Sequence, residues 1–341
     1  MMNPRSGIIA GGNWIVDHVK IIDTWPPQDA LATILSESAG NGGAPYNLLK
    51  NLAKLGASFP LEAVGLVGDD TDGRTILADC QKHRIVTAQL RTTGDGATSY
   101  TDVMTERATG RRTFFHQRGA NALLGPEHFD FSATRAKLFH LGYILLLDSL
   151  DKPDATGQPQ ASTVLQSARA AGLLTSLDCV SENSDRFHSV VKPVLPSVDL
   201  FFANDFEAEK LTGIPLGRDA TLSRFAVEMS ARELIRLGVG RWAFIHFPEG
   251  ACACSVAGEI RWQPAVRMPA AEIKGTAGAG DAFAAGVLMG IHENWPMARC
   301  LELGVSAAAA SLQHPTCSAS IRPQAECLAL AQTLGFVPLP G

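Results

Sequence analysis

The sequence predicts a doubly wound α/β fold, with a mostly parallel central sheet, helices on both faces and a small β-sheet lid. Three observations lead there. Short apolar runs rich in β-branched residues alternate with helix-period segments along most of the chain. That alternation stops between Arg84 and Gln117, where polar and β-branched residues alternate one by one. A small-residue run, Gly278-Ala279-Gly280, then leads into an apolar helix near the C-terminus.

The elements follow in order. Ile8 to Ile22 is apolar and Gly-punctuated, and reads as a strand with a turn. Pro45 to Leu55 has helical spacing and stops at Gly56, a natural C-cap. Leu61 to Val67 reads as a strand and Asp72 to Lys82 as a helix. The segment 84–117, with turns at Thr93 to Gly96 and Ala108 to Arg111, reads as an antiparallel, hairpin-rich insertion. Together with part of 8–40 it is expected to form the lid. Strands are then expected over Lys137–Leu141, Leu173–Cys179, Val198–Ala203 and Trp242–Phe247. Helices are expected over Ser162–Ala171, Phe187–Leu195, Phe206–Thr212 and Leu222–Leu237. A hairpin around Ala257-Gly258-Glu259 follows, and helices near Asp281–Gly290, Ala298–Leu312 and Pro323–Leu334 finish the chain. Neither a repeat nor a low-complexity linker appears, so the expectation is one domain over 1–341 with the lid inserted in it.

Composition narrows the function classes. Net charge is −5 and no long basic run occurs, which argues against nucleic acid or an anionic membrane as partner. No run approaches the roughly eighteen apolar residues of a membrane span. The seven cysteines are scattered and include no Cys-x-x-Cys, so they read as reduced buried thiols in a cytoplasmic protein.

The chemistry concentrates in a few places. Backbone N–H groups of Gly278, Ala279 and Gly280 can converge on one spot at a helix N-terminus, which suits an anion. Asp281, in the first turn of that helix, is expected to be ionised at neutral pH and to accept a proton from an attacking hydroxyl. The bland alternative is a tight Gly-rich turn with Asp281 as a cap. A Walker A loop is excluded, because the chain contains no Gly-Lys pair. A dinucleotide fingerprint fits poorly, since Phe283 falls at its third glycine. Gly42-Gly43 before Asn47 lets a ligand approach the backbone of a helix start. Asp17, leaving a strand, is either a turn residue or a grip for sugar hydroxyls. Asn204 and Glu207 have capping-box spacing after the strand that ends at Ala203. In His140-Leu141-Gly142-Tyr143, Gly142 reads as room for a larger acceptor, and Tyr143 either as core packing or as a surface for stacking a base.

These motifs together resemble the ribokinase-like carbohydrate kinases of the PfkB family. Thr276 to Gly286 matches the family's C-terminal signature, Asp-Thr-x-Gly-Ala-Gly-Asp-x-Phe-x-x-Gly, except that Gly275 replaces the leading Asp. Gly42, Gly43, Asn47, Leu55 and Gly56 match its N-terminal signature, Asn204 and Glu207 its Asn-x-x-Glu element, and Gly119-Ala120-Asn121 a segment that follows the lid. The likeness spans about residues 8 to 330. It implies ATP-dependent transfer of the γ-phosphoryl group to a hydroxyl of a small sugar or sugar acid, with Mg²⁺ accompanying ATP. Asp281 would be the base and Gly278, Ala279 and Gly280 the anion hole. Asp17, Gly42, Gly43, Asn47 and Asn121 would bind the acceptor. Asn204, Glu207, Gly250 and Thr276 would lie on the nucleotide side, Glu207 acting on Mg²⁺ indirectly. Apart from the resemblance, the alternating pattern of 84–117 leaves an exposed sheet face that the acceptor or a second lid would cover, which raises a homodimer formed through the lid.

Two departures stand out. Gly275 removes a carboxylate beside the anion hole, so weak or absent potassium activation is expected, with Lys274 as a possible source of positive potential. His246-Phe247-Pro248-Glu249-Gly250 replaces a Thr-x-Gly-Gly edge near the nucleotide and keeps only Gly250. The competing readings are a nucleoside kinase of the same fold, a catalytically weak sugar- or nucleotide-binding regulator, and a dinucleotide-dependent oxidoreductase.

Overall fold

The computed structural model describes residues 5–217 and 222–339. Nine strands form the large sheet, in the order β13-β12-β11-β10-β9-β8-β1-β4-β5. They are β1 (Ile8–Gly12), β4 (Leu61–Gly68), β5 (Ile85–Thr93), β8 (Leu138–Ile144), β9 (Leu174–Cys179), β10 (Leu200–Asn204), β11 (Trp242–Phe247), β12 (Gly250–Ser255) and β13 (Ile260–Pro264). Neighbours from β11 to β5 run parallel, and β12 and β13 add an antiparallel hairpin at the other edge.

Alternation along the strands divides the core in two. Ile8, Ala10, Phe202 and Phe244 face one side. Ile9, Phe201, Ala203 and Ala243 face the other. The first side is covered by α1 (Ala44–Leu55), α2 (Thr71–Lys82), α8 (Ala279–His292), α9 (Met297–Ser311) and α10 (Gln324–Leu334). The second is covered by α3 (Asp148–Asp151), α4 (Gln160–Ala170), α5 (Lys192–Val194), α6 (Asp205–Thr212) and α7 (Arg224–Arg236). Helices on both faces force parallel strands that are buried on both sides, which is why the sequence reads as apolar runs.

The small sheet has the order β3-β2-β6-β7, built from β2 (Ile15–Ile22), β3 (Ile34–Gly42), β6 (Ser99–Glu106) and β7 (Arg112–Gln117). β2 and β6 run parallel, while β2–β3 and β6–β7 are antiparallel.

Three sequence readings need correction here. Ile8 to Ile22 is not one strand with a turn, because it divides between the two sheets at Asn13-Trp14. Trp14 is fully buried, and its indole N–H donates to the Val64 carbonyl at 2.8 Å, which pins the crossing point. Residues 84–98 do not belong to the lid: β5 pairs in parallel with β4 at the edge of the large sheet. Ile85 and Leu90 are buried while Val86 and Arg91 are exposed, as at an edge strand covered on one face, and the register shift between Val86 and Gln89 brings the two buried positions, five apart, to the same side. β3 was not anticipated as a strand, since Ile34 to Ala39 is exposed and mostly polar or small, and carries no period-2 pattern.

The last glycine of the C-terminal signature has a packing explanation. A Cβ on Gly286 would come 2.7 Å from the Leu303 carbonyl oxygen and 2.8 Å from Gly304 Cα, so α8 and α9 touch backbone to backbone there. Gly286→Ala is expected to cost about 1 to 3 kcal/mol by overpacking. Thermal denaturation checks this, and an unchanged Tm contradicts it.

Candidate active site

The site forms at the C-terminal edge of the large sheet, where two helix starts meet. α1 begins after Gly43, whose φ of 85° allows the turn and whose missing Cβ leaves space for the Asn13 carbonyl. α8 begins after Gly278 in the left-handed region, φ 73°, where a Cβ would come 2.5 Å from that of Cys317. These two helices pack together. Their first turns therefore bring Asn47 and Asp281 into contact across 234 residues.

Asp281 is 4% exposed and accepts from two donors. Asn47 Nδ2 donates to Oδ2 at 2.7 Å. The Tyr143 hydroxyl lies 2.8 Å from Oδ1 and 2.7 Å from Oδ2 and donates to the carboxylate. Asn41 Nδ2 in turn donates to Asn47 Oδ1 at 2.6 Å and to Ser318 Oγ at 2.8 Å, which fixes the Asn47 amide with its N–H₂ toward Asp281. Burial pushes the Asp281 carboxyl up to about 8, and the Asp178 and Asp17 carboxylates push the same way, while Asn47 and Tyr143 oppose. This corrects the expectation of a carboxylate ionised at neutral pH. At this site desolvation outweighs the helix dipole.

Asp17 lies on β2 between Gly40 of β3 and Thr101 of β6. A Cβ at Gly42 would run into its carboxylate, so that glycine makes room for Asp17. Cys317 Sγ donates to Asp17 Oδ2 at 3.7 Å. Burial pushes the Asp17 carboxyl up to about 7, with Thr101, Cys317 and Arg112 opposing. Asp17, Gly42, Gly43, Asn47, Gly278 and Asp281 are thus drawn into one neighbourhood, linked through Cys317.

On the other flank, Asn204 and Glu207 form a full capping box at α6. Glu207 Oε2 accepts from the Asn204 backbone N–H at 2.9 Å, and Oε1 from Ser181 Oγ at 2.7 Å and Asn204 Nδ2 at 3.1 Å. Burial pushes the Glu207 carboxyl up to about 7. Asn204 pairs in register with His246 of β11, whose imidazole edge lies 3.1 Å from the place a Cβ on Gly280 would take. His246 packs on Phe283 at 5.5 Å between ring centroids, and burial pushes its imidazole down to about 4. A neutral ring beside the Gly278–Gly280 turn leaves the N-terminal dipole of α8 open to an anion. Gly250, at φ 154° in the β11–β12 turn, sits where a Cβ would strike the Gln263 carbonyl.

Several expected residues land elsewhere. Asn121 is fully buried, and its amide brackets the Trp14 backbone, accepting from N–H at 3.1 Å and donating to the carbonyl at 3.2 Å. Each end of that amide meets the Trp14 backbone, so Asn121 braces the strand crossing. Gly142 does not open room for a larger acceptor, since the Asp178 carboxyl and the Ala44 methyl already fill the space of a Cβ. Tyr143 offers its hydroxyl to Asp281 rather than a face to a base. Lys274 is exposed and donates to the Ala271 carbonyl at 2.7 Å. Thr276 instead receives a hydrogen bond from Arg112 of the lid. Asp178, Asn41, Ser318 and Arg112 carried no motif. Asp178 shared one signal with Asp17, an acid at a strand end, and that signal is too common to single it out.

The comparisons with known proteins fit this geometry. The pfkB family carbohydrate kinase pattern matches residues 13–325, so the chain belongs to that family and is a carbohydrate kinase. It is 27% identical over 294 residues to an ATP-dependent ribose-1-phosphate kinase of Halopiger xanaduensis, covering 85% of this chain and 86% of the relative. It is 26% identical over 326 residues to a ribokinase of Arabidopsis thaliana, covering 91% and 79%. The solved structure of Arabidopsis thaliana ribokinase complexed with ribose and ATP superposes with a TM-score of 0.77 at 21% identity, over 98% of this chain and 100% of that one.

The Tyr143 contact makes a pH prediction. Its O–H stabilises the ionised carboxylate and so holds the Asp281 pKa below the value burial alone would set. Tyr143→Phe removes that donor, so the pKa rises and the acid limb of kcat/KM moves to higher pH by about one unit. A pH–rate profile of the variant checks it. An unmoved acid limb, or one shifted to lower pH, contradicts the assignment.

Proposed function

We propose that this kinase transfers the γ-phosphoryl group of ATP to a hydroxyl of a small sugar or sugar acid, with Asp281 as general base and Gly278, Ala279 and Gly280 as the anion hole. One observation carries the reading: a buried carboxyl group, pushed up by burial to about 8, stands in the first turn of α8 directly after the Gly278–Gly280 turn. A base is most effective when its pKa lies close to the operating pH.

In the reaction so read, the acceptor hydroxyl oxygen attacks the γ-phosphorus as its proton passes to Asp281. The new O–P bond forms while the bond to the β–γ bridging oxygen breaks, and ADP leaves with that oxygen. Asn47 keeps the carboxylate aimed. Tyr143 occupies both carboxylate oxygens in this structure, so the acceptor hydroxyl takes its place or shares the carboxylate with it. Asp17 grips acceptor hydroxyls from the lid side, and the backbone N–H groups of Gly278 to Gly280 receive charge that develops on the phosphoryl oxygens.

Magnesium would arrive as part of the Mg–ATP substrate and would offset charge on its phosphates. Among the described residues no group of three or more His, Cys, Asp or Glu side chains is placed to hold a metal. Both Glu207 oxygens are already engaged by Asn204 and Ser181, which fits an indirect role toward that ion. Both relatives named above are ribose enzymes by name, so a pentose or pentose phosphate is the first acceptor to test, ahead of hexoses, sugar acids and nucleosides. The diversion of Tyr143 to Asp281 weighs against the nucleoside alternative. The intact base and anion loop weigh against a non-catalytic regulator.

Asp281→Asn keeps the shape of the site and removes the proton acceptor. Turnover is expected to fall by about two orders of magnitude or more, with ATP affinity retained. Coupled-assay turnover together with nucleotide titration checks this, and near-normal turnover contradicts it.

A carboxylate-ligated monovalent cation does not fit beside this loop. Gly275 has no side chain, and a Cβ there would already lie 2.9 Å from Pro315 Cα and 3.0 Å from the His314 carbonyl oxygen. Potassium is therefore expected to activate turnover less than about twofold when it replaces a bulky organic cation at constant ionic strength. Several-fold activation would show that backbone carbonyls suffice for the ion.

A further inference from the structure

Arg112 is a lid cation that makes no hydrogen bond or ion pair with Asp281 or any other carboxylate among the described residues. It opens β7, opposite Thr105 of β6. β6 runs parallel to β2, the strand that carries Asp17. The lid sheet thus holds the guanidinium over the acceptor side. From there it crosses to the large domain and donates to Thr276 Oγ1, two residues before the Gly278 turn. Arg112 is half-buried, and its charge acts on Asp17 and Cys317. Among the described residues no carboxylate forms an ion pair with it, and its one side-chain hydrogen bond goes to a neutral hydroxyl.

A partly desolvated cation costs free energy unless a counter-charge meets it. Here the cation is planar, with parallel N–H donors that match two phosphate oxygens, a geometry a lysine cannot offer. It reaches Thr276, just before the small-residue loop, while the neighbouring Lys274 donates back to the Ala271 carbonyl. The positive charge nearest Thr276 therefore comes from the lid and not from the loop's own side chains.

We propose that Arg112 binds a phosphoryl group in the assembled site, so that the lid supplies positive charge to the reaction as well as a cover for the acceptor. The proposal rests on the kinase reading above. Two phosphates have the required chemistry: the one in transfer, whose charge spreads over its equatorial oxygens, and one already carried by a phosphorylated sugar acceptor. Either would engage two guanidinium N–H groups, with Thr276 released or shared.

The test uses Arg112→Gln and Arg112→Lys in the full chain. Steady-state kinetics are run with a neutral pentose and with a pentose 1-phosphate. Calorimetric titrations with ATP alone and with the pentose phosphate alone accompany them. Arg112→Gln is expected to lose about a hundredfold in kcat/KM with at least one acceptor, and Arg112→Lys to recover only part of it. A loss in kcat with both acceptors assigns the guanidinium to the phosphoryl group in transfer. A raised KM confined to the pentose phosphate, with weaker binding of that ligand, assigns it to the acceptor. If the unmodified protein forms no ADP with any acceptor, the kinase reading fails. The titrations still decide the role of Arg112, with at least a tenfold loss of affinity for one phosphate ligand expected in Arg112→Gln. The proposal is overturned if kcat, KM and both affinities stay within twofold of the unmodified protein. Far-ultraviolet circular dichroism of both variants identifies any loss due to misfolding, and Arg112→Lys, which keeps size and charge, then carries the comparison.

Discussion

Burying one carboxyl group between two helix starts is the constraint around which the site is organised. Asp281 is removed from water where the first turns of α1 and α8 pack together. Such burial favours the protonated acid. The Asn47 amide and the Tyr143 hydroxyl restore part of the lost hydration, and so set how far the pKa rises. A fully hydrated aspartate would be a weak base at neutral pH, and one buried without donors would stay protonated. The observed arrangement lies between these, which is the condition for proton transfer.

The same constraint has a stability cost with a definite sign. Asp281, Asp17 and Glu207 all bind protons more tightly in the folded chain than an unfolded carboxyl does, principally through burial. Over the range from the ordinary carboxylate pKa up to about 7 or 8, the folded state holds protons that the unfolded state has released. Stability therefore declines as pH rises through that range. Bound ligands that hydrogen-bond to these groups would offset part of the cost, so function and stability are in tension at this edge of the sheet.

Much of the fold was legible because its strands are buried on two faces and separated by helices of ordinary length. The C-terminal loop was legible because small residues before an apolar helix have few other uses. What was not legible depended on tertiary partners. β5 imitated a lid strand because an edge strand covered on one side alternates like a hairpin. β3 is polar and exposed, and only pairing with β2 makes it a strand. Gly142 looked like empty space, yet Asp178 fills it from another strand. The charge state of Asp281 was misjudged because a helix N-terminus can be read from sequence, whereas burial in the folded chain and the nearby Asp178 carboxylate, more than a hundred residues away in sequence, cannot. Arg112 lies in a polar segment with no motif, and its contact with Thr276 spans 164 residues.

The central claim is that Asp281 is a buried carboxyl group whose proton affinity is tuned close to neutral pH. Carbon-13 NMR of the aspartate side-chain carboxyls, with Asp281→Asn used to assign the resonance, measures this directly in the ligand-free protein. The account predicts a titration midpoint near 8 for Asp281, well above the ordinary aspartate value. A midpoint at or below the ordinary aspartate pKa of about 4 would show that the helix dipole and hydrogen bonds dominate burial, and would contradict it.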